Sequence, residues 1–240
     1  MDCMAPKPRT PPSPSPSVTL VAFGFLALVA VVGQWDFEVS SALAVPSRTD
    51  FARFMSKYGM LPGFAVVGFG LLCLLRVVPP LRTDGLVRFG KIALSTALVA
   101  FLLVFAAKYL WGRVRFRDLD PEGLAFTHWL SPQGLTGHHS FPSGHTLWGA
   151  LVLPLAWAVP RARRRMRQAV LGASLAWAIA MALARIYIGA HYMSDVVASI
   201  GIVACVMLAS LRQYPQSSGQ ATSLGSEPHD RPGSDPLREA

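Results

Sequence analysis

Apolar positions along the chain gather into six runs, near 18–34, 58–75, 92–107, 146–159, 168–184 and 196–211. Several are shorter than the roughly 20 residues that a straight bilayer span needs. Lys, Arg, Trp and Tyr flank them, and such side chains reach the interface and extend each helix. A single short run could be the buried core helix of a soluble domain. Six of them within 240 residues are more than a soluble domain of that size can hide. The pattern predicts an all-α polytopic membrane protein with six transmembrane helices over 17–212. The Pro- and Ser-rich segment 1–16 and the polar segment 213–240 read as disordered tails.

Composition sharpens this picture. The chain is 52% hydrophobic and 15% charged, against about 25% charged in typical soluble domains. Its net charge is +9. The basic residues stand at the ends of apolar runs, as membrane topology determinants do, so nucleic acid is not the expected partner. Cys3, Cys73 and Cys205 form no CxxC spacing, which argues against a zinc site or a disulfide framework. Ala42-Leu43-Ala44 resembles a signal cleavage site. Trp35, Asp36, Phe37 and Glu38 separate it from the first apolar run, so an uncleaved helix is expected.

Orientation follows from the Lys/Arg bias. With the N-terminus inside, the cytoplasmic segments hold Lys7, Arg9, Arg76, Arg82, Arg88, Lys91 and Arg212. They also hold the cluster Arg161, Arg163, Arg164, Arg165 and Arg167, the strongest single cue. Both termini are therefore expected in the cytoplasm. The arginine cluster is also compatible with a patch for anionic lipid.

In that topology the segments 108–145 and 185–195 share the outer side, and they hold most of the reactive polar residues near the membrane ends. Lys108 and Arg115 stand at the end of the third run, where either could simply snorkel. Phe141-Pro142-Ser143-Gly144-His145 precedes the fourth run. Ser143 suits an N-cap there, and the first amides of that helix would face an anion. His145 on the first turn could deliver a proton to a leaving oxygen. Arg185, His191 and Asp195 form the third cluster. With His191 at or before the start of the sixth helix, Asp195 lies on the same face. A carboxylate there can accept from one ring nitrogen and leave the other free to attack. Together at a membrane edge, Arg, His and Asp are costly unless functional.

Lys108-x6-Arg115, Pro142-Ser143-Gly144-His145 and Arg185-x5-His191-x3-Asp195 together resemble the three-part signature of the type 2 phosphatidic acid phosphatase superfamily, which includes the vanadium haloperoxidases. Two positions depart from it: Phe116 stands where Pro is usual and Ala184 where Ser is usual. The resemblance implies a six-helix core bundle and a metal-independent lipid phosphatase with no cofactor. Its nucleophile would be His191, with His145 as acid and then base and Asp195 orienting His191. Lys108, Arg115, Ser143, Gly144 and Arg185 would hold the phosphate.

The expected substrate is a lipid phosphate or diphosphate met at the outer face of a bacterial inner membrane. Undecaprenyl diphosphate, phosphatidylglycerophosphate, phosphatidate and lipid A phosphates all qualify. A lipid phosphotransferase using the same histidine is an alternative. Six apolar runs speak against a soluble haloperoxidase, and three intact motifs speak against a transporter or scaffold. Arg113 and Arg117 are further candidates for a headgroup or second phosphate. His138 and His139 read as loop residues, and Asp118, Asp120 and Glu122 as a solvated acidic stretch.

Overall fold

The structure, a computed structural model, describes residues 16–44 and 49–215. The two sequence-predicted tails lie outside them, apart from their innermost residues. The described residues are all-helical. Five stretches are long and apolar enough to cross a membrane: Val18–Leu43, Asp50–Leu75, Asp84–Asp118, Arg164–Tyr187 and Met193–Gln213. The first combines α1 (Pro16–Val32) with the short α2 (Asp36–Leu43), joined by a 3-10 turn. The second combines α3 (Asp50–Tyr58) with α4 (Leu61–Leu75). The others are α5 (Asp84–Trp111), α7 (Arg164–Tyr187) and α8 (Met193–Gln213).

The remaining predicted run, 146–159, is a broken helix. Here α6 (Gly144–Ala150) gives way to a 3-10 turn at Leu153–Trp157. Pro154 has no N–H to offer the Ala150 carbonyl, so the α-helical ladder stops where that bond would fall. Leu155 bonds back to the Val152 carbonyl at 3.0 Å, and the Ser174 hydroxyl of α7 reaches the same oxygen at 3.3 Å. This segment is enclosed: α6 packs against α4, α5, α7 and α8, and Leu147, Ala150, Leu151 and Ala156 are all buried.

Large apolar side chains point outward instead. Leu20, Phe23, Leu98, Leu102 and Ile179 are exposed around the bundle, which is the inverse of a soluble protein and what a lipid surround requires. Between helices, contact depends on small residues and hydroxyls. A Cβ placed on Gly63 of α4 would meet the Trp148 carbonyl at 2.0 Å, and one on Gly90 of α5 would meet the Gly70 carbonyl at 2.4 Å. Ser95 of α5 donates to Ser210 of α8 at 3.0 Å.

The helices alternate in direction and sort the polar residues into two ends. Lys108 of α5, Ser143 before α6, Arg185 of α7 and His191 before α8 come together at one end. The starts of α5 and α7 and the end of α8 lie at the other, where Arg88 donates to the Tyr214 carbonyl. About 42 Å of helix separates the two ends of α5, whose 28 residues rise about 1.5 Å each.

Candidate active site

Gly112 ends α5 in the left-handed conformation, φ 56°. The chain then folds back along its own exit: Gln133 N–H bonds to the Trp111 carbonyl and Ser140 N–H to the Arg113 carbonyl, at 2.8 and 3.0 Å. A side chain on Gly112 would strike the Gly134 carbonyl at 2.1 Å, so this return needs glycine on two counts. The return sets residues 139–143 beside the starts of α6 and α8.

Two consecutive carbonyls on that strand of loop organise the site. The His139 carbonyl accepts from Lys108 Nζ at 2.7 Å, and the Ser140 carbonyl lies 2.7 Å from His191 Nδ1. A carbonyl can only accept, so Nδ1 carries the hydrogen and Nε2 keeps its lone pair. His139 and its neighbour thus contribute through the backbone, whereas His138 is exposed.

Asp195 differs from the sequence expectation in its contacts. Its carboxylate stands 3.6 Å from His191 Nδ1, beyond hydrogen-bond reach. It accepts instead from the Ser140 hydroxyl at 2.6 Å, from the Tyr192 N–H at 2.9 Å and from Arg113 at 2.7 Å. The i,i+4 spacing does place both residues on one side of the α8 start. Because His191 precedes the first helical residue, its ring turns toward the loop carbonyl.

Arg113 is also corrected. It is almost fully buried and is not among the residues that line the cavity around His191 and Arg115. Its guanidinium donates to Asp195, to Asp36 at 2.9 Å, to the Ser194 hydroxyl at 2.8 Å and to the Thr127 carbonyl at 2.8 Å, and it lies 4.0 Å over the Tyr192 ring. Asp36, at the start of α2, further accepts from the Ser194 N–H and hydroxyl. This buried Asp36–Arg113–Asp195 triad went unread in the sequence. Its one signal was an acidic residue at the edge of the first apolar run, a placement that is rarely idle.

The remaining predicted residues converge. A cavity of about 400 Å³ is lined by Lys108, Arg115, Arg117, Gly144, His145, Arg185 and His191, among others. Arg185 in the last turn of α7 donates to Ser56 of α3 at 3.1 Å, and Arg115 stands 3.8 Å from Asp118. Ser143 is the exception. It caps α6 by accepting from Thr146 N–H and hydroxyl at 3.3 and 2.9 Å, and it is fully buried rather than lining the cavity.

Burial foremost, then the cations Arg185, Lys108, Arg115 and Arg117, hold His145 down at about 4. His191 is likewise pushed to about 4 by burial, with Lys108 and Arg185 adding to the shift and Asp195 opposing it. Both rings are therefore neutral at pH 7. Beside the cavity runs an apolar groove of about 230 Å³ that shares Phe105, Lys108, Gly144 and His145 with it and continues past Val104 and Trp148.

The departures from the signature and the acidic stretch have structural places. Phe116 packs edge-on against Tyr192 and Phe37, tying the loop to α2 and the α8 start. Ala184 is buried against α3, beside Ala52 and Met55. Asp120 accepts from the Leu124 and Ala125 amides at 2.9 and 3.0 Å, so it shapes the loop. Among the described residues no three His, Cys, Asp or Glu side chains gather as a metal-ligand cluster.

The PAP2 superfamily model matches residues 89–218. A transmembrane PAP2 type phosphatidylglycerolphosphate phosphatase from Bacillus subtilis superposes with a TM-score of 0.59, at 18% identity, over 82% of this chain and 94% of that one. At that identity the likeness is one of fold. No curated protein matches the chain.

Proposed function

The chain belongs to the PAP2 superfamily, and from that premise we propose that it is a membrane lipid phosphatase working through a phosphohistidine on His191 at the extracytoplasmic interface. The observation that carries this reading is the single cavity where His191, His145 and the cations Lys108, Arg115 and Arg185 meet at the mouth of an apolar groove. The phosphate enters the cavity and the lipid tail lies in the groove, beside Phe105 and Val104.

His191 Nε2 attacks phosphorus. The N–P bond forms as the bond from phosphorus to the leaving oxygen breaks, and His145 gives that oxygen a proton. His145 then takes a proton from water, whose oxygen attacks phosphorus, breaks the N–P bond and releases phosphate. Lys108, Arg115, Arg185 and the Gly144 amide hold the charge that spreads over the phosphoryl oxygens. Burial first, and then those same cations, give empty-site His145 its low affinity for a proton. Bound phosphate offsets them, so His145 gains its proton when substrate is present. Asp195 acts on His191 through Ser140, with Arg113 and Asp36 holding Asp195 in place.

The positive-inside rule supports the orientation. The end opposite the cavity carries Arg161, Arg163, Arg164, Arg165 and Arg167, so it faces the cytoplasm and the cavity faces outward, in a bacterial inner membrane. The domain limits follow the same reading: a membrane phosphatase domain over 17–212 between cytoplasmic tails 1–16 and 213–240.

The test is phosphate release by detergent-purified protein from a panel of lipid mono- and diphosphates with EDTA present, wild type beside His191→Ala. Release from at least one lipid, indifferent to EDTA and lost in the variant, is expected. Release that needs Mg²⁺ or survives the substitution would overturn the phosphohistidine mechanism.

A further inference from the structure

Next to the catalytic cavity lies a second one of about 310 Å³, lined by Arg53, Ser56 and Lys57 of α3, Arg117 of the loop after α5, Arg185 of α7, and Ile188. Arg117 and Arg185 also line the catalytic cavity, so the two hollows share a wall. Four of the six lining side chains are cations, and they come from three separate parts of the chain. The nearby carboxylates do not line the hollow: Asp50 pairs with Arg53, and Asp118 lies 3.5 Å from Arg117. Both acids are exposed, and pairs of that kind are weak enough to exchange for a bound anion. Cations gathered round one hollow repel each other, and an anion between them relieves that repulsion. The Ser56 hydroxyl accepts from Arg185 and retains a proton to donate to an oxyanion.

We propose that this hollow is a second anion subsite, which holds a second phosphate carried by the same lipid while the first lies against His191. A guanidinium has five donors in a fixed fork, so Arg117 and Arg185 can each serve both phosphates from the shared wall. The substrate class is then a lipid bearing two phosphates rather than a simple lipid monophosphate. This inference rests on the phosphatase reading and narrows it.

The test uses Arg53→Gln/Lys57→Gln, two exposed positions outside the catalytic cavity, so the fold and the chemistry are left intact. Two matched substrate pairs are compared in the full chain: a prenyl diphosphate with its monophosphate, and phosphatidylglycerophosphate with phosphatidate. Losing charged hydrogen bonds of this kind predicts a fall in kcat/KM of about tenfold or more on the two-phosphate member of at least one pair, with the one-phosphate member unchanged. Equal losses on both members, or none on either, would overturn the subsite.

A binding arm separates failure of the subsite from failure of the phosphatase reading. In calorimetry without turnover, inorganic pyrophosphate should bind wild type more tightly than orthophosphate, and the double variant should lose that preference. That result sustains the subsite even if no lipid is hydrolysed. The absence of any preference in wild type counts against it whatever the enzyme hydrolyses.

Discussion

Asp195 reaches His191 through Ser140: the carboxylate accepts the Ser140 hydroxyl at 2.6 Å, and the carbonyl of that same residue takes the Nδ1 hydrogen at 2.7 Å. The acid fixes the position of one residue, and that residue fixes the tautomer of the ring. Burial, foremost, holds the ring neutral well below pH 7, with Lys108 and Arg185 adding to the shift and Asp195 opposing it.

This relay separates two substitutions that a direct contact would not. Ser140→Ala removes the hydroxyl bond to Asp195 and leaves the carbonyl in place. Losing one hydrogen bond to a buried charge costs about 1.5–3 kcal/mol, so a fall in kcat of about ten- to a hundredfold is expected with KM little changed. Asp195→Asn leaves Arg113 with one buried counter-charge and should cost more in both activity and thermal stability. Steady-state kinetics with thermal unfolding of each variant checks the order. Equal effects would sink the relay.

Arg113 stands between Asp36 and Asp195 with all three side chains buried. Removing Asp36 leaves Arg113 balanced by Asp195 but strips an acceptor from buried donors of Arg113 and Ser194, at about 1–3 kcal/mol for a group left unsatisfied. Asp36→Ala is therefore expected to lower the unfolding temperature clearly, although Asp36 lies outside the catalytic cavity and outside the family match. Arg113→Ala should be worse, since it strands two carboxylates. If Asp36→Ala unfolds like wild type, the triad does not hold the first membrane segment to the site.

What could be read in the sequence was whatever repeats locally. Runs of apolar residues gave the membrane segments, and fixed spacings gave Lys108, Arg115, His145, Arg185, His191 and Asp195, all placed at one end of the bundle. Ser143 was legible as a cap. The long-range contacts around Asp195 were not, because Ser140 lies 55 positions away and Asp36 meets Ser194 across 158 positions. No local period carries such pairings. The inward turn of Arg113 was hidden for the same reason: its neighbour Arg115 lines the cavity, and spacing alone does not tell a buried guanidinium from a solvated one. Pro154 marks the break after Ala150, inside an apolar run that hydropathy alone reads as continuous.

The close approach of α4 to α6 gives a prediction about the fold. A methyl at Gly63 would lie 2.0 Å from the Trp148 carbonyl, and backbone cannot yield as a flexible side chain can. Gly63→Ala is expected to destabilise by about 1–3 kcal/mol, the usual cost of overpacking. It should also disturb the groove that Trp148 lines. Gly68→Ala on the same helix meets nothing within 4 Å and serves as the control. Detergent melting curves of the pair would decide it, and equal midpoints would refute the tight contact.

The two histidines predict the pH behaviour with a definite sign. His191 and His145 both sit at about 4 in the folded, empty site, below the roughly 6.5 of an unperturbed histidine. A depressed histidine takes up its proton more readily when unfolded, so the unfolded chain binds more protons between those values. Stability therefore falls as pH drops from about 6.5 toward 4, and unfolding midpoints should decline over that window. In the free enzyme the nucleophile stays unprotonated down to about pH 4, so kcat/KM should hold its acid limb there rather than near 6.5. With substrate bound, the phosphate offsets Lys108, Arg115 and Arg185, and the His145 pKa rises. The basic limb of kcat should then mark loss of that acid, and His145→Ala should abolish it while leaving the His191 limb of kcat/KM in place. An acid limb of kcat/KM near 6.5 would show that the site does not hold His191 neutral.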